Sequence, residues 1–223
     1  ELIALENGKT SLADLEKKLT DDVFAVALAQ PNYYGVIEDA QTIGEASKAS
    51  GVGYIMQVEP FACALLKTPF ECGADVAVGE GQPLGMPLSY GGPYLGFFAA
   101  SKKFLRKLPG RIVGQTTDTE GRRAFVLTLQ AREQHIRREK ASSNICSNQA
   151  LNALAATMYL TLIGSAGLKA IATRCHQLAV YAAQELEKAG LKLKYQQPFF
   201  REFAVILDDP AGANDRLLQN GII

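Results

Sequence analysis

The sequence predicts an α/β fold, a mostly parallel sheet with helices on both faces followed by a smaller α+β unit. Two apolar runs, Val23–Leu28 and Tyr54–Val58, are continuous rather than alternating, as in strands buried on both faces. Helical stretches separate them from each other and from a third run, Ala74–Val78, giving a βαβαβ order. Each run ends in a polar or glycine-rich loop. In doubly wound sheets such loops gather at the carboxyl edge of the strands, where ligands bind.

Composition narrows the function. Lys+Arg and Asp+Glu are equal at 23 each, so no overall charge draws the chain to nucleic acid or to an anionic membrane, and a partner must be recognised locally. The longest apolar runs, such as Leu151–Ile163, are interrupted by Asn152, Thr157 and Thr161 and fall short of the ~20 residues of a membrane span. No membrane partner is expected. Cys63, Cys72, Cys146 and Cys175 form no C-x-x-C pair, and with only His135 and His176 to join them no metal site is expected; free thiols in a reducing cytoplasm fit better. The N-terminus has no basic n-region or small-residue cleavage site, and the abrupt ends are those expected of a fragment.

In chain order, Ser11 caps an amphipathic helix over Ser11–Leu19 with Leu12, Leu15 and Leu19 at helical spacing. The strand Val23–Leu28 runs into Gln30–Gly35, where Pro31 stops it and Asn32, Tyr33 and Tyr34 offer polar groups. A helix over Glu38–Ser50 ends at Gly51. The strand Tyr54–Val58 closes at Glu59-Pro60, and a short helix near Ala62–Lys67 leads to Ala74–Val78.

The loop Gly79–Gly92 carries Gly79-x-Gly81-x-x-x-Gly85 but also Pro83 and Pro87, which would break the helix a dinucleotide site requires. Its glycines instead allow close backbone approach to a ligand or a neighbouring subunit. A strand at Leu95–Ala100, a helix capped by Ser101 and a Gly- and Thr-rich excursion over Pro109–Arg122 follow.

The apolar run Ala124–Leu129 reads as a central strand feeding the densest polar patch, with Arg132, His135, Arg137, Arg138 and Lys140 against Glu133 and Glu139. Ser142, Ser143 and Asn144 stand where the next helix begins, and helix N-termini favour anions. Arginines suit planar carboxylates and phosphates. The patch and the loops Gln30–Gly35, Glu59–Pro60 and Gly79–Gly92 are therefore expected at one sheet edge.

Leu151, Leu154, Ala155, Met158 and Leu162 mark a core-facing helix that Gly164 ends. A second, capped by Ser165, buries Leu168, Ile171, Ala172, Cys175, Leu178, Ala179, Ala182 and Leu186 and stops at Gly190. His176 neighbours that stripe as a packing residue. Beyond Gly190, Leu191–Tyr195 and Phe203–Leu207 are β-like. The expected division is 1–164 and 165–223.

With no nucleophile motif near His135, a hydrolase triad is not expected, and the residues alone stop at an α/β protein with an anion-binding edge. The segments LTLQAREQHIRREKASSNICSNQALNALAA, GADVAVGEGQPLGMPLSYGGPYLGFFA, LPGRIVGQTTDTEGRR and QPNYYGVIEDA go further. They resemble the P proteins of the glycine cleavage system, in particular subunit 1 of the two-subunit glycine dehydrogenase (decarboxylating), over nearly the whole chain.

The resemblance implies the fold type I, aspartate aminotransferase-like architecture of pyridoxal-phosphate enzymes. This chain would hold a large-domain portion with its linking helix (1–164) and part of the smaller C-terminal domain (165–223). It implies a cofactor Schiff base on a lysine just after a strand, and an acid on an earlier strand; Glu59 ends the strand expected to carry that acid. Yet no lysine lies between Lys67 and Lys102, and Gln82 stands near the expected position. In the two-subunit enzyme, subunit 2 carries the lysine and the pyridoxal phosphate, so this chain is expected to have no catalytic residue of its own and to complete the site of its partner. The assembled enzyme would decarboxylate glycine and pass the aminomethyl group to lipoylated H protein in the cytoplasm. Asn32, Tyr33, Tyr34, Arg132, His135, Arg137, Arg138, Ser142, Ser143 and Asn144 are the candidates for contact with substrate, anion or partner. Two rivals stay open: an independent pyridoxal-phosphate enzyme using Lys140, and a non-catalytic docking subunit with an anion-binding patch.

Overall fold

A computed structural model describes residues 1–110, 112–128, 134–141 and 149–222. It opens with a hairpin in which Asn7 and Gly8, at φ 48° and 83°, turn β1 (Leu5–Glu6) back onto β2 (Lys9–Thr10). Asn-Gly adopts the double left-handed turn that such hairpins require. The Ser11 hydroxyl then caps α1 (Leu12–Lys18) by accepting from the Asp14 N–H at 3.4 Å, and Leu15 points into the core.

The central sheet has four strands in sequence order: β3 (Ala25–Gln30), β4 (Gly53–Val58), β5 (Val76–Glu80) and β6 (Gly96–Ala100). The first three are parallel, and β6 runs antiparallel to β5. The crossover from β3 to β4 is α2 (Ala40–Ala49). Its Ala40 and Ile43 pack with Leu15, Val26, Leu28, Tyr54, Met56, Val58 and Cys72 into one core. Tyr54 is buried among them and its hydroxyl donates to the Ala40 carbonyl at 2.9 Å. Burial pushes its phenol pKa up. Each fully buried large side chain of this cluster contributes about 1.5–3 kcal/mol of transfer free energy.

The expectation of helices on both faces needs correction. Among the described residues, α1 and α2 cover one face, whereas Ala27 and Gln57 on the other are exposed. Small side chains, Ala25, Ala27 and Ala29, line that open face of β3. The expected central strand near Ala124–Leu129 is also corrected. β7 (Ile112–Thr117) and β8 (Arg123–Thr128) form a separate antiparallel hairpin, so the Pro109–Arg122 excursion is itself partly strand. Its turn is held by Asp118, whose carboxylate accepts from the Glu120 and Arg122 N–H groups at 2.8 and 2.9 Å. Phe125, Val126 and Leu127 remain exposed. Ser101 does not cap a helix through its side chain; a 3-10 turn over Lys102–Lys107 follows it, and its Oγ is buried without a partner.

After the short helix α3 (Gln134–Arg137) comes α4 (Ala150–Lys188), which Gly164 breaks at φ 59°, ψ −174° where the sequence placed a stop. The expected core stripe of its first half faces outward: Leu151, Leu154, Met158 and Leu162 are exposed, while Ala156 is buried against Phe61, Ala62, Leu84, Ala172 and Phe200. The rotation has a cause. Asn152 Nδ2 donates to the Pro93 and Tyr94 carbonyls at 2.7 and 3.1 Å, and Gly85 (φ 87°) sits so close to Tyr159 that a Cβ would lie 2.8 Å from it. Asn152, Ala156 and Tyr159 share one helix face, and that face is turned inward. The close approach expected of the Gly79–Gly92 loop is therefore made to this helix. By length and composition α4 could cross a bilayer. Gly164 divides it, however, into a first piece of about 20 Å at 1.5 Å per residue, short of a ~30 Å hydrocarbon core, and a second that carries Lys169, Arg174, Glu185, Glu187 and Lys188.

The C-terminal part pairs β9 (Lys192–Leu193) with β10 (Val205–Ile206), both shorter than the β-like runs in the sequence, and ends with α5 (Pro210–Gln219). Asp209 caps α5 by accepting from the Gly212 N–H at 2.9 Å. An open apolar hollow of about 760 Å³, lined by Leu84, Leu95, Phe97, Ala156 and Leu160, separates β5 and β6 from the first half of α4.

Candidate functional site

Three polar loops meet at the carboxyl edge of β3, β4 and β5. A cleft of about 250 Å³ lies between them, lined by Gln30 and Pro31, Gln57 and Glu59, Glu80 and Gln82, with Arg201 from the segment between β9 and β10. Its first wall is the turn after the cis Gln30–Pro31 peptide. Asn32 organises that turn: its Oδ1 accepts from the Tyr34 and Val36 N–H groups at 3.0 and 3.2 Å. Its Nδ2 donates to the Gly8 carbonyl at 2.8 Å and to Glu38 Oε1 at 2.7 Å. Glu38, buried, also accepts from Thr10 N and Oγ1 at 2.9 and 3.0 Å, and its own backbone is clasped by the Gln30 amide. Asn32 is thus committed to internal bonds. Tyr34 packs edge-on between Tyr33 and Tyr195, with Lys194 Nζ 4.4 Å from its ring centre. Tyr33 alone is presented outward, 92 % exposed.

The second wall is Glu59, at the end of β4. Its Oε2 accepts from the Ala62 N–H at 2.6 Å. Its Oε1 is buried and lies 3.1 Å from Arg201 Nη2, an ion-pair distance, but off the line of a hydrogen bond. Burial raises the Glu59 pKa, outweighing the Ala62 bond and the Arg201 charge. Next to it, burial pushes the Cys63 thiol up to about 11, with the Glu59 charge adding to the shift. The third wall is the loop after β5, where Glu80 Oε1 accepts from the Gln82 and Leu95 N–H groups at 2.9 and 3.0 Å. The Gln82 side chain turns into its own loop and donates to the Met86 carbonyl at 2.8 Å.

The described part of the basic patch does not line this cleft. Because β8 belongs to the separate hairpin, His135 and Arg137 on α3 and Arg138 in the following 3-10 turn are exposed, and Arg138 takes a left-handed φ of 52°. Arg132, Ser142, Ser143 and Asn144 lie outside the described residues. Among the described residues Gln82 lines the cleft, whereas Asn32, Tyr33 and Tyr34, in the turn that continues its first wall, line a separate hollow with Val26, Leu28 and Glu38. Arg201 was missed in the sequence, where a lone arginine in a Pro-Phe-Phe turn carries no signal.

The family model of the glycine cleavage system P-protein matches residues 4–223. The chain belongs to that family. It is 60 % identical over 205 residues to the probable glycine dehydrogenase (decarboxylating) subunit 1 of Syntrophomonas wolfei, covering 92 % of this chain and 47 % of the relative. The corresponding protein of Desulforamulus reducens is 53 % identical over 223 residues, covering 99 % and 50 %. Among solved structures, an inhibitor-bound glycine decarboxylase (P-protein) of the glycine cleavage system superposes with a TM-score of 0.91 at 43 % identity, over 98 % of this chain and 49 % of that one. A cysteine desulfurase from Thermococcus onnurineus, at 20 % identity and a TM-score of 0.62, shares the fold, over 100 % of this chain and 54 % of the other. The fold is thus that of the aspartate aminotransferase-like pyridoxal-phosphate enzymes. The chain spans about half the length of the P-protein relatives it matches.

The cleft of this P-protein chain does not fit pyridoxal phosphate. No lysine follows β5 before Lys102, and Gln82 is tied to Met86. Among the described residues Arg201 is the cation lining the cleft, and it is paired with Glu59 rather than free for a phosphate.

Proposed function

We propose that this chain is a portion of subunit 1 of a two-subunit glycine dehydrogenase (decarboxylating), in which subunit 2 holds pyridoxal phosphate covalently and subunit 1 completes the active site. In this reading the assembled enzyme decarboxylates glycine and passes the aminomethyl group to the lipoyl arm of the H protein. When bound, the cofactor supplies the electron sink for the decarboxylation. The observation that carries the reading is the lysine-free loop after β5 in a chain 60 % identical to a protein named subunit 1.

The contribution of this chain's own residues is positional and electrostatic. Tyr33 is available to a partner, whereas Asn32 acts by fixing the turn that presents it. His135, Arg137 and Arg138 are available to an anion, either a carboxylate or phosphate or an acidic protein surface, and we retain Arg132, Ser142, Ser143 and Asn144 in that role on sequence grounds. The division into 1–164 and 165–223, a cytoplasmic location and the absence of nucleic-acid or membrane partners belong to the same proposal. A second reading, a non-catalytic docking subunit, is favoured by the exposure of the basic patch.

Glycine–bicarbonate exchange with lipoylated H protein and pyridoxal phosphate tests both, using the full-length version of this chain with and without subunit 2. Exchange only in the mixture is expected. Exchange by this chain alone would place the cofactor on another lysine, with Lys140 the first to replace. If Arg137→Ala/Arg138→Ala weakens association but leaves the turnover of the saturated complex unchanged, the docking reading holds.

A further inference from the structure

We infer that Arg201 is a positioning residue: by clamping the Glu59 carboxylate it straps the segment Pro198–Glu202 across the carboxyl edge of the sheet and fixes the Asn32–Ile37 turn that presents Tyr33. The inference rests on the proposed role of that edge, but its first readout does not.

The strap has little regular structure of its own, since β9 and β10 are two residues each. What holds it is the burial of Phe200 in the second core and a set of contacts to the turn after β3. The Ile37 N–H donates to the Pro198 carbonyl at 2.8 Å, Val36 and Phe199 form an isolated antiparallel bridge, and the Phe200 N–H donates to the Gly35 carbonyl at 3.3 Å. From behind, His176 Nδ1 lies 2.7 Å from the Phe200 carbonyl, tying the strap to α4. These bonds are short-range and individually modest. Among the described residues, the Glu59–Arg201 contact is the salt bridge that joins the strap to the sheet itself, and both side chains are largely buried, 30 % and 20 % exposed. Its geometry fits a clamp. Glu59 is already oriented by the Ala62 N–H, so Arg201 closes on a fixed carboxylate rather than on a mobile one. Removing the guanidinium would strand a buried carboxylate oxygen that has no hydrogen-bond partner among the described residues.

The test is amide hydrogen exchange on the full-length chain, comparing the Ile37 and Phe200 amides with those of Tyr54 and Met56 in β4, for Arg201→Gln, Arg201→Lys and Glu59→Gln. Expected is exchange about tenfold faster or more at Ile37 and Phe200 in Arg201→Gln with β4 unchanged, partial recovery in Arg201→Lys, and no further rise when Arg201→Gln is combined with Glu59→Gln. In the assembled enzyme the same variant is expected to raise the KM for glycine or the H protein more than it lowers kcat. Unchanged exchange at Ile37, or an equal rise there and in β4, overturns the inference. So does faster exchange at Ile37 with KM and kcat both unaltered, which would leave Arg201 a purely structural tie. A wild-type assembly with no exchange activity would instead overturn the proposed function, and the hydrogen-exchange result would stand apart from it.

Discussion

A Cβ placed on Gly35 would lie 1.8 Å from the carbonyl oxygen of Glu202, and Gly35 itself holds φ 76°. The strap and the turn after β3 are in direct backbone contact at the one residue type that permits it. Gly35→Ala is therefore expected to lose more than about 3 kcal/mol of stability, since neither partner in the clash is a flexible side chain. Gly51 provides the control: its φ is 71° but nothing lies within 4 Å of its would-be Cβ, so Gly51→Ala should cost only the ~1 kcal/mol of left-handed backbone. Denaturant midpoints of the two variants separate clash from strain, and equal losses would show that the strap moves aside freely.

Asn32 and Glu38 make the second testable contact, an amide donating at 2.7 Å to a buried carboxylate. Asn32→Ala removes that bond and three others to the Gly8 carbonyl and the Tyr34 and Val36 amides, an expected loss of about 2–4 kcal/mol. Asn32→Asp should be worse at neutral pH, because it sets a second carboxylate against Glu38, and should recover as the pH is lowered and one of them takes up a proton. Thermal melts at several pH values decide it; an Asp variant whose deficit is independent of pH would refute the charge argument.

Glu59 gives a pH dependence whose sign is fixed by its raised pKa. A carboxyl that binds its proton more tightly when folded contributes stability that is fully present below the unfolded value and is lost as pH rises through the folded value. The stability difference between wild type and Glu59→Gln should accordingly fall from the ordinary carboxylate range upward. The lowered pKa of exposed Asp118, held by the Arg122 N–H and side chain, works in the opposite direction and is common to both proteins. Paired urea titrations across acidic to neutral pH would detect the slope, and a difference that grows with pH would contradict it.

Much of this architecture was legible in the sequence because it rests on local pattern. Val26, Leu28, Tyr54 and Met56 lie in apolar runs, and Ser11, Gly51, Gly164 and Gly190 punctuate the chain where the structure turns or breaks. The run Ala124–Leu129 misled, because an apolar β-segment looks the same whether it enters a buried sheet or an open hairpin. With it went the basic patch. The stripe Leu151–Leu162 was read correctly as one face of a helix, but periodicity does not say which face meets the rest of this chain; the hydrogen bonds of Asn152 and the small Ala156 decided that. Glu59 and Arg201 are distant in sequence, so their pairing exists only in three dimensions.

The last prediction concerns Gln82. If the missing lysine were the sole reason this chain does not hold pyridoxal phosphate, Gln82→Lys in the full-length chain would create a binding site and a visible absorbance band. The surroundings argue otherwise. The position belongs to a loop closed by Glu80, which gathers the Gln82 and Leu95 amides, and its side chain points back at the Met86 carbonyl rather than across the cleft. A lysine there would stand beside Glu80, remain protonated and so be a poor nucleophile. Gln82→Lys alone should therefore stay colourless with excess cofactor. A stable visible band that disappears on borohydride reduction, leaving the cofactor attached at position 82, would show that the cleft is competent and only the lysine is missing.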